Sequence, residues 1–368
     1  MKLVICTNHS YEHTGGTETV IQQIADGLAE KYDYDSIILS RSLKQDRIVH
    51  NKTTLIKCAP DSSKFLKQLE SLKPDRIFVY SDCFAFWQTI LENIERLPSK
   101  YSISLVGMNN TISNRKLMSL FRTKYKLFQV ITHSDNYQDY ITCRDAHIPV
   151  NVVPNGVDAS EFSHKLFSFR DKYNIKTKYI ILCVSNFFPG KGQEYLLPVL
   201  EELYKKLPEF TAVFICSTVN FYVANNIRDR YKVQLRRAKF PSKLFSDIPR
   251  EDVVSAFLDA DVFAFPSQKE VAPLVILESM ISKTPWVALP VGNIPSLKGG
   301  RMVPFRAKNH EGYALFGAET HEHFVKCLFD ILLDEKIRSE LKTEGYEYVS
   351  KNLIWDNIIP IYHRLFSE

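Results

Sequence analysis

Short apolar runs alternate with longer amphipathic stretches along the chain. In the first half the apolar runs are KLVICTN, SIILSR, TLIKCA, DRIFVYS, YSISLVG, QVITHS and VNVVPNG. The stretch between the first two, TETVIQQIADGLAEK, has one apolar stripe at helical spacing, formed by Val20, Ile21, Ile24 and Leu28. A second series follows, with YIILCVSN, TAVFICS, VFAFPS, WVALP and RMVPF. Short β-prone runs separated by helices predict parallel sheets covered on both faces, and therefore an α/β fold.

The same pattern predicts two domains. The chain has 368 residues, and this length favours two domains of roughly 150–200 residues each. The segment VDASEFSHKLFSFRDKYNIKTK between the two strand series is polar and carries no strand signal. We therefore expect one doubly wound domain over residues 1–165 and a second over residues 166–350. The carboxyl ends of their strands should face each other across a cleft, where ligands of such sheets bind.

Composition is that of an ordinary globular protein, with 45% hydrophobic and 24% charged residues. No apolar run approaches the ~18 residues that a membrane span needs. The apolar run in MKLVICTNHS is too short for a signal peptide, which predicts a cytoplasmic protein. The seven cysteines are scattered without a C-x-x-C, and Cys6, Cys183 and Cys216 lie in predicted strands. This usage indicates reduced core thiols rather than a disulfide framework or a zinc site.

The net charge of +5 is unevenly distributed. From Arg96 to Ser134 there are seven cations and no acidic residue. Two interpretations stay open: a solvated basic face, or a surface that faces anionic lipid or a polyanionic acceptor. The second predicts peripheral association with the inner face of an anionic membrane through residues 96–134. No nucleic-acid partner is expected, because aromatic residues are not interleaved there as stacking platforms.

Two glutamates in PSQKEVAPLVILESM are the strongest candidates for chemistry. Glu270 follows a predicted buried strand, and Glu278 stands eight residues later in a predicted helix that Pro273 can open. The free N–H groups of Leu274 and Val275 at that helix start would form an anion site. Glu278 falls on a mostly apolar helix face, where a carboxylate should not stay unpaired. Two exposed glutamates at this spacing also occur by chance. A ligand with a phosphate at the helix start and hydroxyls on both sides would satisfy both acids, and a sugar nucleotide has that shape.

Other motifs fall at predicted strand ends. Gly15 and Gly16 directly precede the first helix, where backbone can approach a phosphate closely. In SNFFPGKGQEYLL, Lys191 and Gly192 stand at a helix entry, where a lysine can neutralise a diphosphate. VVPNGVD contains an Asn-Gly turn at a hinge-like exit, and PVGNIPSLKGGRMVP follows the glutamate pair.

Taken in this order, the motifs resemble those of the retaining glycosyltransferases of family 4. These enzymes have the GT-B fold, in which two Rossmann-like domains face each other across a cleft. The resemblance covers nearly the whole chain and is most specific in the E-x7-E segment. It implies that a helix within residues 351–368 packs back on the first domain.

The resemblance also implies a role for each matching position. Glu270 would contact the donor sugar, and Glu278 would hold the nucleotide ribose. Lys191 would pair with the diphosphate, while Gly15 and Gly16 would approach the phosphates from the other domain. Further donor-binding positions on the same basis are Asn186, Val271, Leu274 and Val275.

The chain departs from the family pattern at a position where members carry a cation for the donor phosphates. Family members usually have Gly-Arg where this chain has Ser185 and Asn186, so one expected cation is missing. Lys191 would then carry more of the charge, or a basic residue between Arg228 and Lys243 would substitute.

A second departure concerns the histidine that many members place after the fifth strand of the first domain. This chain has GMNN there, which makes Asn109 the nearest equivalent catalytic candidate. His133 ends the QVITH strand and is a further catalytic candidate, although a single histidine at that place can equally be structural.

The function implied is a hexosyltransferase that moves a sugar, with retention, from a UDP- or GDP-sugar to a hydroxyl of a glycan or glycolipid. In the family a donor phosphate oxygen takes the acceptor proton, so no side-chain base is required. Two alternatives stay open: a sugar-nucleotide epimerase of the same architecture, and a catalytically silent sugar-nucleotide-binding protein.

No metal or other cofactor is expected. Asp33 with Asp35, and Asp259 with Asp261, form D-x-D pairs, but both pairs fit helix ends better than metal ligands. His321, His323 and Cys327 could together ligate zinc. Their surroundings indicate an amphipathic surface helix instead.

Overall fold

The computed structural model describes most of the chain, as two compact units. The residues described are 1–9, 15–42, 46–50, 52–59, 61–81, 84–93, 95, 99–105, 128–216, 222–310 and 312–368. The first unit comprises Met1–Gly156 and Trp355–Glu368, and the second comprises Val157–Ile354.

The division lies at Gly156, not at residue 165 as the polar segment suggested. The reason is that the segment after Gly156 packs within the second unit. The backbone N–H of Val157 donates to Leu353 at 2.9 Å, and the buried ring of Phe162 contacts that of Phe257. The last helix runs from Trp355 to Ser367 and groups with the first unit.

In the first unit, the described strands form one sheet. These strands are β1 (Lys2–Thr7), β2 (Asp35–Arg41), β3 (Asp46–His50), β4 (Thr53–Cys58), β5 (Arg76–Ser81), β6 (Lys100–Leu105), β7 (Phe128–Thr132) and β8 (Val150–Val152). Their order is β3-β4-β2-β1-β5-β6-β7-β8, and the pairs are parallel except that β3 runs antiparallel to β4. The order therefore reverses beside β1, which is the switch point of the sheet.

The second unit contains a smaller parallel sheet. Its strands are β9 (Tyr179–Val184), β10 (Phe210–Cys216), β11 (Ser242–Ser246), β12 (Val262–Phe265), β13 (Trp286–Ala288) and β14 (Gly300–Met302). They follow the order β11-β10-β9-β12-β13-β14. Here the switch point lies between β9 and β12, which are paired neighbours.

Helices connect the strands, as parallel pairing requires. Those in the described part are α1 (Gly16–Tyr32), α2 (Ser62–Leu72), α3 (Phe84–Glu92), α4 (Gln138–Asp145), α5 (Phe169–Lys172), α6 (Gln193–Lys206), α7 (Tyr222–Leu235), α8 (Arg250–Asp259), α9 (Leu274–Ile281), α10 (Ala318–Leu333), α11 (Glu335–Asn352) and α12 (Trp355–Ser367). Short 3-10 helices lie at Ser160–Phe162 and Ile294–Ser296. The predicted α/β class and the two doubly wound sheets are confirmed, and the stripe of four apolar residues expected on α1 is buried.

Two strands were missed by the sequence pattern, and both are edge strands. In β3, Ile48 and Val49 are exposed, and no residue of β11 is fully buried. An edge strand with little burial lacks the continuous apolar run on which the other predictions rested.

Helix α12 is attached to the first unit through α1 and β5. A side chain at Gly27 of α1 would collide with Ile359, so the two helices approach closely there. The ring of His363 stacks on Tyr32 at 3.7 Å between centroids. The buried guanidinium of Arg76 donates to the carbonyl of Phe366 at 2.5 Å, which occupies an acceptor near the helix end.

In the described residues, no helix combines the length and apolar character that crossing a membrane requires. The six cysteines described are free thiols, as expected from their spacing, while Cys83 lies outside the described residues. Most of the basic stretch 96–134 also lies outside them.

Candidate active site in the second unit

Lys191 and Glu270 meet at the switch point of the second sheet. Lys191 lies in the loop after β9, and Glu270 in the loop after the neighbouring β12. The Nζ atom of Lys191 lies 2.6 Å from Oε1 of Glu270, and the hydroxyl of Ser267 donates to the same oxygen at 2.5 Å. The Glu270 side chain is only 11% exposed and that of Lys191 29%. The two residues predicted to bind the donor are therefore brought together as a half-buried ion pair.

Glycine allows the two loops to touch through their backbones. Gly192 caps α6 with φ 74°, and a Cβ atom there would lie 2.2 Å from the carbonyl oxygen of Pro266. The N–H of Gln268 donates to the carbonyl of Gly190 at 2.7 Å. These contacts fix the backbone on both sides of the ion pair, since neither glycine position has room for a side chain.

A third segment braces the same loops. Tyr313 lies so close to Gly190 that a Cβ atom on the glycine would fall 2.1 Å from its ring. Ala314 exchanges hydrogen bonds with Gln268: its N–H donates to the Gln268 carbonyl at 3.0 Å, and its carbonyl accepts from Gln268 Nε2 at 2.6 Å. The ammonium of Lys269 sits over the Tyr313 ring at 5.0 Å. This segment carries no sequence motif from which its role could be predicted, because that role arises from packing.

Glu278 is buried on α9 and paired with Arg250. The guanidinium of Arg250, the first residue of α8, donates to Glu278 Oε1 at 2.7 Å and to Glu161 Oε2 at 2.6 Å. Burial lowers the pKa of Arg250, but the neighbouring Glu278 and Glu161 carboxylates outweigh it and raise the pKa above the usual value. The expectation that Glu278 does not stay unpaired is thus met by a cation of the chain itself.

The start of α9 meets the segment that follows β13. Pro273 is the N-cap, one position earlier than the first helical turn expected for it, and Leu274 and Val275 begin the helix. The carbonyl of Val271 accepts the N–H of Asn293 at 2.9 Å. The PVGNIP motif therefore packs directly on the loop of the first glutamate.

Asn186 shapes the loop after β9 through its backbone. Its carbonyl accepts from Nε2 of Gln193 at 2.9 Å, and the hydroxyl of Ser185 accepts from the same nitrogen at 2.6 Å. Gln193, which is buried in the first turn of α6, thus holds the strand end that lacks the family's Gly-Arg.

Gly15 and Gly16 are located at the switch point of the first unit. Gly15 caps α1, and its N–H donates to Glu18 Oε2 at 3.0 Å. Glu18 also pairs with Nδ1 of His9 at 3.2 Å. Burial raises the pKa of Glu18, but the His9 and backbone hydrogen bonds hold it below its usual value. A carboxylate of the chain therefore occupies one N–H at the helix start, and the phosphate role of the glycines stays a prediction.

His133 is a buried structural histidine in the first unit. Its Nδ1 lies 2.9 Å from the carbonyl of Val153, which can only accept, so the proton is on Nδ1. Nε2 is then the acceptor nitrogen, and the hydroxyls of Tyr80 and Ser104 lie 3.0 and 3.1 Å from it. Both ring nitrogens are occupied, which argues against the catalytic role predicted for His133. The other catalytic candidate, Asn109, lies outside the described residues.

The aspartates of the second D-x-D pair, Asp259 and Asp261, contact cations and backbone groups. Asp259 ends α8 and pairs with Lys165, while Asp261 pairs with Arg170 at 2.8 Å and accepts from the N–H of Ile180. On α10, His321 pairs with a glutamate of α6. In the part of the chain that the structure describes, no group of three or more potential ligands could hold a metal ion.

The protein is similar to known proteins in both sequence and structure. Residues 167–348, nearly the whole second unit, match the family of glycosyl transferases group 1. The processive diacylglycerol alpha-glucosyltransferase of Acholeplasma laidlawii is 24% identical over 279 residues, which are 71% of this chain and 77% of that enzyme. Sucrose-phosphate synthase from Thermosynechococcus elongatus superimposes with a TM-score of 0.79 at 15% identity, covering 100% of this chain and 99% of that one. HepE from Anabaena, in complex with UDP and glucose, superimposes with a TM-score of 0.77 at 15% identity, covering 100% of this chain and 99% of that one.

The fold is therefore GT-B. The family match and the Acholeplasma laidlawii relative indicate a glycosyltransferase. The similarity to the glycosyl transferases group 1 lies in residues 167–348.

We expect Gly192→Ala to damage both stability and activity. Gly192 and Gly312 have similar positive φ angles of 74° and 83°, but the space around Gly312 is open, whereas Gly192 abuts the Pro266 carbonyl. Gly312→Ala should therefore cost only the backbone strain, about 1 kcal/mol, and serve as the matched control. Gly192→Ala should cost about 3 kcal/mol or more in the free energy of unfolding. Chemical denaturation of both variants measures the difference, and equal losses would contradict it.

A second prediction concerns the pH dependence of stability. Burial lowers the pKa of His133 from 6.5 to about 4, against the opposing effect of the Val153 hydrogen bond. Between these values the unfolded chain binds a proton that the native chain does not, so stability falls as pH drops from 6.5 towards 4. The full contribution is about 3 kcal/mol. Denaturation at several pH values should show a flatter slope for His133→Gln than for the control His147→Gln, whose histidine is exposed.

Proposed function

We propose that the protein transfers a sugar from a nucleotide-diphosphate sugar to a hydroxyl of a glycan or glycolipid acceptor, with retention and without a metal ion. The observation that carries this proposal is the pairing of Lys191 with Glu270 at the switch point of the second sheet. A cation for a diphosphate and a carboxylate for sugar hydroxyls then lie side by side, where doubly wound sheets bind their ligands.

Each part of the donor has a counterpart in the second unit. The diphosphate would lie at the starts of α6 and α9, where free N–H groups favour negative charge, and would take Lys191 as its counter-ion. Glu270 would accept hydrogen bonds from hydroxyls of the sugar. Glu278, held in place by Arg250, would accept them from the ribose hydroxyls. Asn186 and Val271 would contribute backbone groups of the two loops.

The chemical step breaks the bond between the anomeric carbon and the leaving phosphate oxygen. The bond from the acceptor oxygen to the same carbon forms on the same face, and the acceptor proton passes to the leaving phosphate. Charge therefore develops on the diphosphate, and Lys191 together with the helix starts would stabilise it as it develops. No general base from the chain is needed in this scheme, which agrees with the structural role of His133.

The comparisons favour particular substrates without fixing them. HepE was crystallised with UDP and glucose, and the Acholeplasma laidlawii relative is named for diacylglycerol glucosylation. We therefore propose a UDP-hexose as the first donor to test and a lipid-linked or glycan hydroxyl as acceptor. An acceptor of this kind would suit peripheral attachment to an anionic membrane through residues 96–134.

The reaction itself tests the proposed function. Thermal-shift screening against UDP-, GDP- and ADP-sugars should identify the donor, because a ligand that binds only the native state raises the melting temperature. With that donor and an acceptor, NMR of the product should show the anomeric configuration of the donor, and EDTA should leave the rate unchanged. An inverted product or loss of activity in EDTA would contradict the mechanism. Conversion of the donor's sugar without any acceptor would instead establish an epimerase.

Lys191→Ala should abolish most of the activity. Removing the counter-ion of the leaving diphosphate should lower kcat/KM by about 100-fold or more, which is ~2.7 kcal/mol of transition-state stabilisation. Lys206→Ala is the matched control, because Lys206 pairs with Glu202 on an exposed face of the same unit. Steady-state kinetics of both variants measure kcat/KM. A Lys191→Ala variant with wild-type kcat/KM would contradict the role of Lys191 and indicate that the active site lies elsewhere.

A further inference from the structure

The lysine that the proposed function assigns to the diphosphate is paired with the carboxylate that it assigns to the sugar. Nζ of Lys191 and Oε1 of Glu270 are 2.6 Å apart, and Ser267 donates to that same oxygen. We propose that this ion pair is a product-release device. After the sugar has been transferred, Glu270 pairs with Lys191 again, which weakens binding of the nucleoside diphosphate and promotes its release. The inference rests on the proposed function, because it takes the two assignments from it.

The donor and the product differ in what they offer Glu270. A complete donor gives Glu270 sugar hydroxyls as new partners, so Lys191 can turn to the diphosphate without leaving the carboxylate unsatisfied. A nucleoside diphosphate has no sugar to offer. To bind Lys191, the nucleoside diphosphate must break the Lys191–Glu270 pair. The Glu270 carboxylate, which is only 11% exposed, then loses its cation, and this costs binding free energy. The pair therefore favours donor over product by a difference in interactions, as any such preference requires.

The surroundings confine the exchange to the side chains. Gly192 abuts the carbonyl of Pro266, and the N–H of Gln268 is bonded to the carbonyl of Gly190. The two loop backbones are thus held together whether or not the ion pair is made. A lysine ammonium on a flexible stem can swing between two nearby anions without loop movement.

Nucleotide binding without turnover tests the device. Isothermal titration calorimetry with UDP and GDP would compare the wild type with Glu270→Gln, Lys191→Met and the double variant. Glu270→Gln releases the lysine and should bind the nucleoside diphosphate about five- to tenfold more tightly. Lys191→Met should bind it more weakly. In the double variant the gain should vanish, since there is no lysine left to release.

Glu202→Gln is the matched control, because it removes one negative charge from a lysine pair elsewhere in the second unit and should leave affinity unchanged. A Glu270→Gln variant that binds as the wild type does, or more weakly, while Lys191→Met has lost affinity, overturns the release device and leaves the proposed function standing. A wild type that binds neither of these nucleotides, nor ADP in the same titration, overturns both. If Glu270→Gln does not fold, Glu270→Asp replaces it: the shorter carboxylate holds Lys191 less well, so tighter binding supports the device and unchanged or weaker binding overturns it.

Discussion

The site depends on two neighbouring parallel strands whose following segments run to opposite sides of the sheet. In the second unit, β9 and β12 are paired, yet the chain after β9 proceeds towards β10 and the chain after β12 towards β13. The helices that follow the two strands therefore lead away in opposite directions, and ligands of such sheets bind at this point. Lys191 and Glu270 stand on these two loops. Gly192 lets the backbones come close enough for the two side chains to meet.

The fold could be predicted from sequence wherever burial produces a continuous apolar run. Most strands were found this way, as was the stripe on α1, because buried strands and amphipathic helices differ in period. The edge strands β3 and β11 were not found, since partial exposure removes that signal. The boundary near residue 165 failed for a related reason: a polar segment can still belong to a unit when its few apolar residues, such as Phe162, are buried.

The site could be predicted only where a residue type and its spacing carry the chemistry. Glu270, Glu278 and Lys191 belong to recognisable motifs, and the structure places the first and last of them in contact. Arg250 and Tyr313 belong to none. They reach the site from elements distant in sequence, so only the packing of those elements reveals them. For His133 the opposite holds. Its position at a strand end predicted a catalytic role, but its side chain is hydrogen-bonded within the core.

The charged side chains of the site restrict how a donor can bind. Two cations, Lys191 and Arg250, face three carboxylates, those of Glu161, Glu270 and Glu278, which leaves one net negative charge. A diphosphate adds further negative charge to this set. Arg250 is held by two of the carboxylates and cannot be spared without leaving them unpaired. The missing Gly-Arg cation is therefore not replaced by Arg250. Among the described residues of these ion pairs, Lys191 is then the cation that could turn to a diphosphate, together with the helix starts. Under the proposed function Lys191 would have to leave Glu270 to do so, and exchange of that ion pair would be a requirement of donor binding.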